Sequence, residues 1–368
     1  GILRVAIEPC GCLGGTLFGG TRVNRIKIIS LRHAALAAAC VLAGPALAQE
    51  YVPFGPRPST EGLPQDTWVG GVQLTFGHDD NVPLVSDTRL FFAGEEDANF
   101  LQFDAAAQYW TELGNGMRFG TILMGSYRDY PDVNPGTPVS PSLDWYGNGS
   151  LHAKVYVEAD IETGLGLLTI APSYGFRYEV GADDRIAALG LSSHQLALDG
   201  TLAMTDDFSL HFGAALAITD YEVSFVNPTR NRDAVYHEIY GGATIPVFGF
   251  SPVDVELALQ NNDSDGSDWA YQGVELRLDR RFGLTENLAG VLSFDYGWRD
   301  YDTVAFTDLN AAGRGDQEFA RAGLGFDYLL TETSAIGAYI SHLNVMGDNP
   351  AFAYDRTEIG VTLTMRFQ

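Results

Sequence analysis

The feature that most limits how this chain can fold is period-two alternation of apolar and polar residues, kept up for about ten residues at a time. "FLQFDAAAQYW" places Leu101, Phe103, Ala105, Ala107 and Tyr109 on one side and Gln102, Asp104 and Gln108 on the other. "LHAKVYVEAD" sets Leu151, Ala153, Val155 and Val157 against His152, Lys154, Tyr156 and Glu158. "VDVELALQ", "VELRLDRRF" and "EFARAGLGFDYLL" repeat the pattern, and so does the ending "RTEIGVTLTMRFQ". Fourteen such segments are counted, starting near residues 68, 99, 117, 144, 167, 191, 208, 233, 252, 268, 286, 315, 332 and 355. Their connections alternate between short ones ("ELGNG", "ETGLG", "MTDD", "FGFS", "GLTE", "TET") and longer polar ones. Segments of about ten residues suit tilted strands crossing a bilayer, and short turns on one side with long loops on the other suit a closed barrel. Alternation alone also fits a soluble β-sandwich or propeller. The loop lengths and the aromatics near the strand ends (Trp68, Tyr109, Tyr127, Tyr178, Trp298, Phe367) favour the membrane. The fold expected is an all-β, transmembrane, antiparallel up-and-down β-barrel of about 14 strands over 68–368.

The first 48 residues differ in kind. "RVNRIKIISLRHAALAAACVLAGPALAQ" has a basic front, an apolar middle and small residues at Ala46 and Ala48, which reads as a signal peptide cleaved before Gln49. Residues 1–48 are therefore expected to be a removed leader, and 49–67 a periplasmic tail rich in Pro and polar residues. Cys10, Cys12 and Cys40 all lie in the leader, so the exported part must be stabilised without disulfides. Net charge is -25 for the whole chain, and five of its 22 Lys and Arg lie in the leader. Such acidity argues against nucleic acid as a partner.

The pattern of Glu358, Gly360, Leu363, Met365 and Phe367 resembles the C-terminal assembly signal of Gram-negative outer-membrane proteins. That resemblance implies recognition of Gly360, Leu363, Met365 and Phe367 by the barrel-assembly machinery, and an outer surface in contact with membrane lipid and lipopolysaccharide. Here Gln368 follows the aromatic, where the family usually ends on it. "FGHDDNVP" (76–83), "DYGWRDYDT" (295–303), "GRGDQEFARAGLGFDY" (313–328) and "YDRTEIGVTLTMRF" (354–367) resemble elements of the surface lipoprotein assembly modifier family and of related β-barrel porins. The resemblance covers the barrel alone and implies either a pore or a helper in the export of surface proteins. Asp79, Asp80 and Asn81 also read simply as a polar strand end turning into a loop.

The polar faces supply the candidate functional wall. Pore-lining positions are Lys154, Glu158, Arg177, Glu275, Arg277, Asp279, Arg281, Asp295, Arg299, Arg321, Asp327 and Arg366, with Asp104, Arg118, Asp254, Glu256 and Glu358 on the same faces. Both signs interleave, and the arginines gather on the later strands. The expectation is a porin-like channel for small hydrophilic solutes. Cation preference from acidic loops (Asp79, Asp80, Glu95, Glu96, Asp97, Asp183, Asp184, Asp263, Asp265, Asp268) would be opposed deeper in by Arg277, Arg281, Arg299 and Arg321. Ser150 and His152, Ser192, Ser193 and His194, and Ser209 and His211 lack the partner set of a nucleophilic site and read as lumen-lining polar residues. Asn261, Asp263, Asp265 and Gly266 have calcium-loop spacing, but Gln272 stands where a bidentate Glu is needed and no helix flanks them. No catalytic residue, metal or cofactor is expected.

Overall fold

The computed structural model describes residues 65–82, 97–131, 146–181, 190–222, 232–302, 315–349 and 352–367, apart from 206, 248, 249 and 268. The expected leader and most of the tail lie outside the described residues, as do the loop acids Glu95, Glu96, Asp183, Asp184 and Asp268. Fourteen strands follow in order: β1 (Val69–Asp79), β2 (Ala98–Gly114), β3 (Met117–Asp129), β4 (Asn148–Thr163), β5 (Gly166–Gly181), β6 (Leu191–Ala203) and β7 (Ser209–Tyr221). The second half comprises β8 (Ala234–Val247), β9 (Phe250–Ser264), β10 (Tyr271–Gly283), β11 (Leu288–Tyr301), β12 (Gln317–Thr331), β13 (Ser334–Gly347) and β14 (Tyr354–Phe367). Each pairs antiparallel with its sequence neighbours, and β14 pairs with β1 to close the barrel. Closure leaves no strand edge, the condition for crossing hydrocarbon with strands.

The short connections share one end of the barrel, the turn end, and the long ones share the other, the loop end. Threonine builds several of the turns by accepting backbone N–H bonds two or three residues on, a local substitute for strand pairing. Thr163 accepts from Gly166 at 3.2 Å, Thr205 from Phe208 at 3.1 Å and Thr285 from Leu288 at 3.1 Å. At the β2–β3 turn, Gly114, Asn115 and Gly116 all have positive φ (89°, 55° and 72°). Glycine and asparagine are the residues that tolerate this region.

Alternation divides each strand between two faces. Leu74 and Phe76 on β1, Leu101 and Phe103 on β2, and Ile359, Val361 and Leu363 on β14 are large apolar side chains left exposed on the outside. Gln73, Thr75, Gln102 and Asp104 are polar side chains buried on the inside. This inversion of the usual soluble pattern is what a lipid-facing barrel requires. The aromatics Trp68, Tyr127, Tyr178, Trp298 and Phe367 are exposed on the outer face near the strand ends, and Trp68 lies 5.6 Å from the Tyr109 ring. Arg280 departs from the rule. It points outward at the turn end, with its guanidinium 5.9 Å from the Phe282 ring.

A second device shapes the interior. Five glycines stand directly opposite an inward aromatic in the strand register: Gly77 with Phe100, Gly120 with Tyr156, Gly213 with Tyr240, Gly297 with Phe319 and Gly360 with Tyr339. At each, an added Cβ would overlap the ring. The rings therefore lie against the wall over bare backbone, where a larger residue would tilt them into the lumen. Gly70 and Phe367 repeat the arrangement on the outer face, where the last strand meets the first.

Candidate functional site

The interior holds two networks of opposite character. The first sits at the seam where β14 meets β1, towards the loop end. Asp79 and Glu358 are direct register partners, and both point inward. Two like charges so placed repel. Arg356 removes the conflict by binding Asp79 (Nη2 to Oδ2, 2.5 Å; Nε to Oδ1, 3.1 Å) and also Glu358. Arg128 reaches from β3, past β2 and β1, to Glu358 at 2.7 Å and to Tyr130 Oη at 3.2 Å. Tyr130 donates to Asp79 Oδ2 at 3.1 Å, and the ring of bonds closes. Arg128 Nε also donates to Gln102 at 2.6 Å, and its guanidinium lies 4.2 Å over the Phe100 ring. Tyr130 lies just beyond β3, and burial pushes its phenol up to about 12, so it remains a neutral donor at physiological pH. Val82, Phe100, Tyr130 and Tyr146 form a buried apolar cluster beside this ring, so this part of the interior is filled.

The seam also explains the Asp-Asp-Asn element. Beyond Asp79, Asp80 accepts from the Thr357 N–H at 2.5 Å and donates its own N–H to the Thr357 carbonyl at 3.1 Å. Asn81 Nδ2 donates to the Asp355 carbonyl at 2.7 Å. Three consecutive residues thus bind three consecutive residues of the last strand. The element was open to reading as a plain strand end, and it is a latch.

The second network lines β8 to β11. Arg277 is held by three carboxylates at once: Glu256 at 2.8 Å, Glu238 at 2.9 Å and Glu275 at 3.1 Å. Gln260 bridges Glu275 (2.6 Å) and Glu238 (3.1 Å), and Tyr236 donates to Glu238 at 2.7 Å. Across the strands, Glu256, Arg277, Asp295 and Arg321 are successive register partners, a ladder of alternating charge. His211 lies 3.6 Å from Glu256 at one end. Elsewhere on the wall, Arg118 pairs with Glu158 (3.3 Å) and Asp160 (3.0 Å), and Arg177 pairs with Glu179.

Every pore-lining candidate on β4, β5, β10, β11, β12 and β14 points inward by register: Lys154, Glu158, Arg177, Glu275, Arg277, Asp279, Arg281, Asp295, Arg299, Arg321, Asp327 and Arg366. Three of the arginines on the later strands are engaged rather than open, however. Arg277 is saturated by carboxylates, Arg321 lies 3.6 Å from Asp295, and Arg299 is stacked by the rings of Tyr271 (5.0 Å) and Phe319 (4.7 Å). Of the serine and histidine sets, His152 and His211 face inward. Ser192 and His194 correct the expectation, because they face outward, and His194 Nδ1 is bonded to the Tyr174 hydroxyl at 2.7 Å. The calcium-loop spacing falls across strands, since Asn261 and Asp263 lie in β9 and Gln272 in β10. Among the candidate assembly residues, Leu363, Met365 and Phe367 are exposed on the outer face, whereas Gly360 faces inward beneath the Tyr339 ring.

Sequence reasoning missed Arg128, Arg356 and Glu238. Arg356 lies two residues before Glu358 on the same face, and Glu238 alternates with Tyr236 and Tyr240 in "VYHEIYGG". Extending the alternation outward along those strands finds both.

No protein-family model matches the chain, and no curated protein matches it. Solved structures do. An outer membrane channel from Pseudomonas putida is 9% identical with a TM-score of 0.43, over 85% of this chain and 100% of that one. The outer membrane channel DcaP of Acinetobacter baumannii is 12% identical with a TM-score of 0.45, over 82% of this chain and 96% of that one. OprD of Pseudomonas aeruginosa is 11% identical with a TM-score of 0.37, over 82% and 96%. These likenesses are to outer-membrane β-barrels and extend to architecture only.

Proposed function

We infer that the chain is an outer-membrane channel that passes small hydrophilic solutes through the barrel interior. One observation carries this reading. Charged side chains on the inner wall keep access to water, with Arg277 30%, Arg118 27% and Arg321 25% exposed. A plugged barrel would bury these groups, as the seam does. Away from the seam, the flat rings of Tyr156 and Tyr240 support the same reading, since they lie over glycine against the wall rather than across the interior. On β6 and β7 the inward residues include Ser193, Ala197, Ala215, Ala217 and Thr219, all small and half-buried. Lipid and lipopolysaccharide would meet the outer face, and the assembly machinery would read the last strand.

The alternative, a helper in surface-protein export, rests on the resemblance of 76–83, 295–303, 313–328 and 354–367. Asp79, Asp80, Asn81 and their partners in 354–358 have a structural task at the seam, so those residues need no client protein to explain them. The test is single-channel recording on refolded protein, with the segment before Thr67 present and deleted. Discrete conductance steps in at least one form are expected. Silence from both forms, with the barrel folded, would overturn the channel and favour the export helper.

A further inference from the structure

The cluster centred on Arg277 sits on the water-accessible part of the wall and has an unbalanced composition. One guanidinium faces Glu238, Glu256 and Glu275, so the cluster carries more negative than positive charge. The neighbouring cations do not restore the balance. Arg321 is opposite Asp295, and Arg299 is stacked by Tyr271 and Phe319 towards the loop end. Asp254 and Asp279 are direct register partners turn-ward of the cluster, with Arg281 beside Asp279. The excess remains, since Glu238, Glu256, Glu275, Asp254, Asp279 and Asp295 are set against only Arg277, Arg281, Arg299 and Arg321. On β6 and β7, no Lys or Arg faces the interior.

We propose that this cluster is the charge-selecting element of the passage, and that it favours solutes bearing a positive group such as an ammonium or guanidinium. The proposal rests on the channel reading. A fixed excess charge on a low-dielectric wall acts on a passing ion more strongly than the same charge in bulk water. Arg277 has two effects here. It holds three mutually repelling carboxylates together, and it cancels part of their field. Its removal should therefore strengthen selection rather than abolish it, the opposite of what an arginine serving as an anion site would give.

The experiment is the reversal potential of the full-length protein in planar bilayers under a KCl gradient, at low salt. Wild type should prefer cations modestly. Arg277→Gln should raise the potassium-to-chloride permeability ratio at least fivefold, since a unit charge at about 4 Å in a water-like dielectric acts on each ion by roughly that factor and with opposite sign on the two. Arg277→Lys should leave the ratio near wild type. The double change Glu238→Gln with Glu275→Gln should bring it towards unity. Heat-modifiable mobility on gels reports whether each variant is a folded barrel. Anion preference in wild type, or an unchanged ratio in both Arg277→Gln and the double variant, overturns the proposal while leaving the channel in place. A wild type that carries no current overturns the channel reading and the selecting element together.

Discussion

The seam and the β8–β11 wall are built from the same chemistry and do different work. Each joins arginine to several carboxylates, with a tyrosine and a glutamine attached. The contrast lies in the arginines and in Asp79: at the seam Asp79 is 0% and Arg356 8% exposed, on the wall Arg277 is 30% and Glu256 20% exposed, while Glu358 (14%), Glu238 (12%) and Glu275 (13%) are alike. Sealed from water, an ion pair becomes a structural commitment, because either partner left alone is a buried charge. Left wet, the same pair is individually weak, and its field reaches into the passage. Burial, rather than residue type, separates a latch from a selecting surface.

Removal of the arginine from each network tests that contrast most strongly. Arg356→Met should destabilise the barrel by about 3–5 kcal/mol, since the fully buried Asp79 would lose its cation while facing Glu358, which Arg128 would still hold. Arg277→Gln should cost less, about 1–3 kcal/mol, because Arg277 and Glu256 already meet water and none of the carboxylates it leaves is sealed as Asp79 is. Urea unfolding of both variants in detergent or lipid measures the difference. Equal losses would mean that the wall is as sealed as the seam.

The glycines beneath aromatic rings sharpen the comparison at smaller amplitude. Gly77→Val crowds Phe100 on the filled side, and Gly213→Val crowds Tyr240 on the open side. Overpacking of this kind costs about 1–3 kcal/mol. Gly77→Val should leave single-channel conductance unchanged, while Gly213→Val should lower it by tilting a ring into the passage. A drop for Gly77→Val as well would show that solutes also run along the seam.

The smallest thermodynamic effect concerns the turn end of the same seam. Phe367→Lys places a cation on the outer face near an interface, at a cost of about 0–1 kcal/mol. Thr364→Ala, on the inner face where Thr364 donates to Gln73 at 3.2 Å, should stay within about 0.5 kcal/mol. Barrel yield in outer membranes should nevertheless fall sharply for Phe367→Lys alone, through failed recognition by the assembly machinery. Matching yields for the two would remove the recognition role from Phe367.

Most of the architecture was legible because period-two alternation and turn chemistry are local. Strand starts fall within a few residues of expectation. The clearest departures occur where the chain turns inward or pauses: β4 begins at Asn148 rather than near 144 because Tyr146 is buried in the apolar cluster, and β10 begins at Tyr271 after the turn at Gly266. Facing was legible too, so the inward charges could be named in advance. Their partners could not. That Arg128 crosses two strands to reach Glu358, or that three carboxylates share Arg277, depends on inter-strand register, which no single segment encodes. Ser192 and His194 were misplaced because a strand start offers too few residues to set the phase of alternation.

The latch has a consequence for the order of events in folding. Each hairpin from β1–β2 to β13–β14 joins residues close in sequence, whereas Asp79 and Arg356 are separated by 277 positions. Contacts at such separation carry the largest chain-closure entropy and form late. An interaction absent from the folding transition state slows unfolding without speeding folding. The ion ring at the seam therefore belongs on the unfolding limb of the kinetics. It sets how long a finished barrel lasts in the membrane, and has little bearing on how fast one is made.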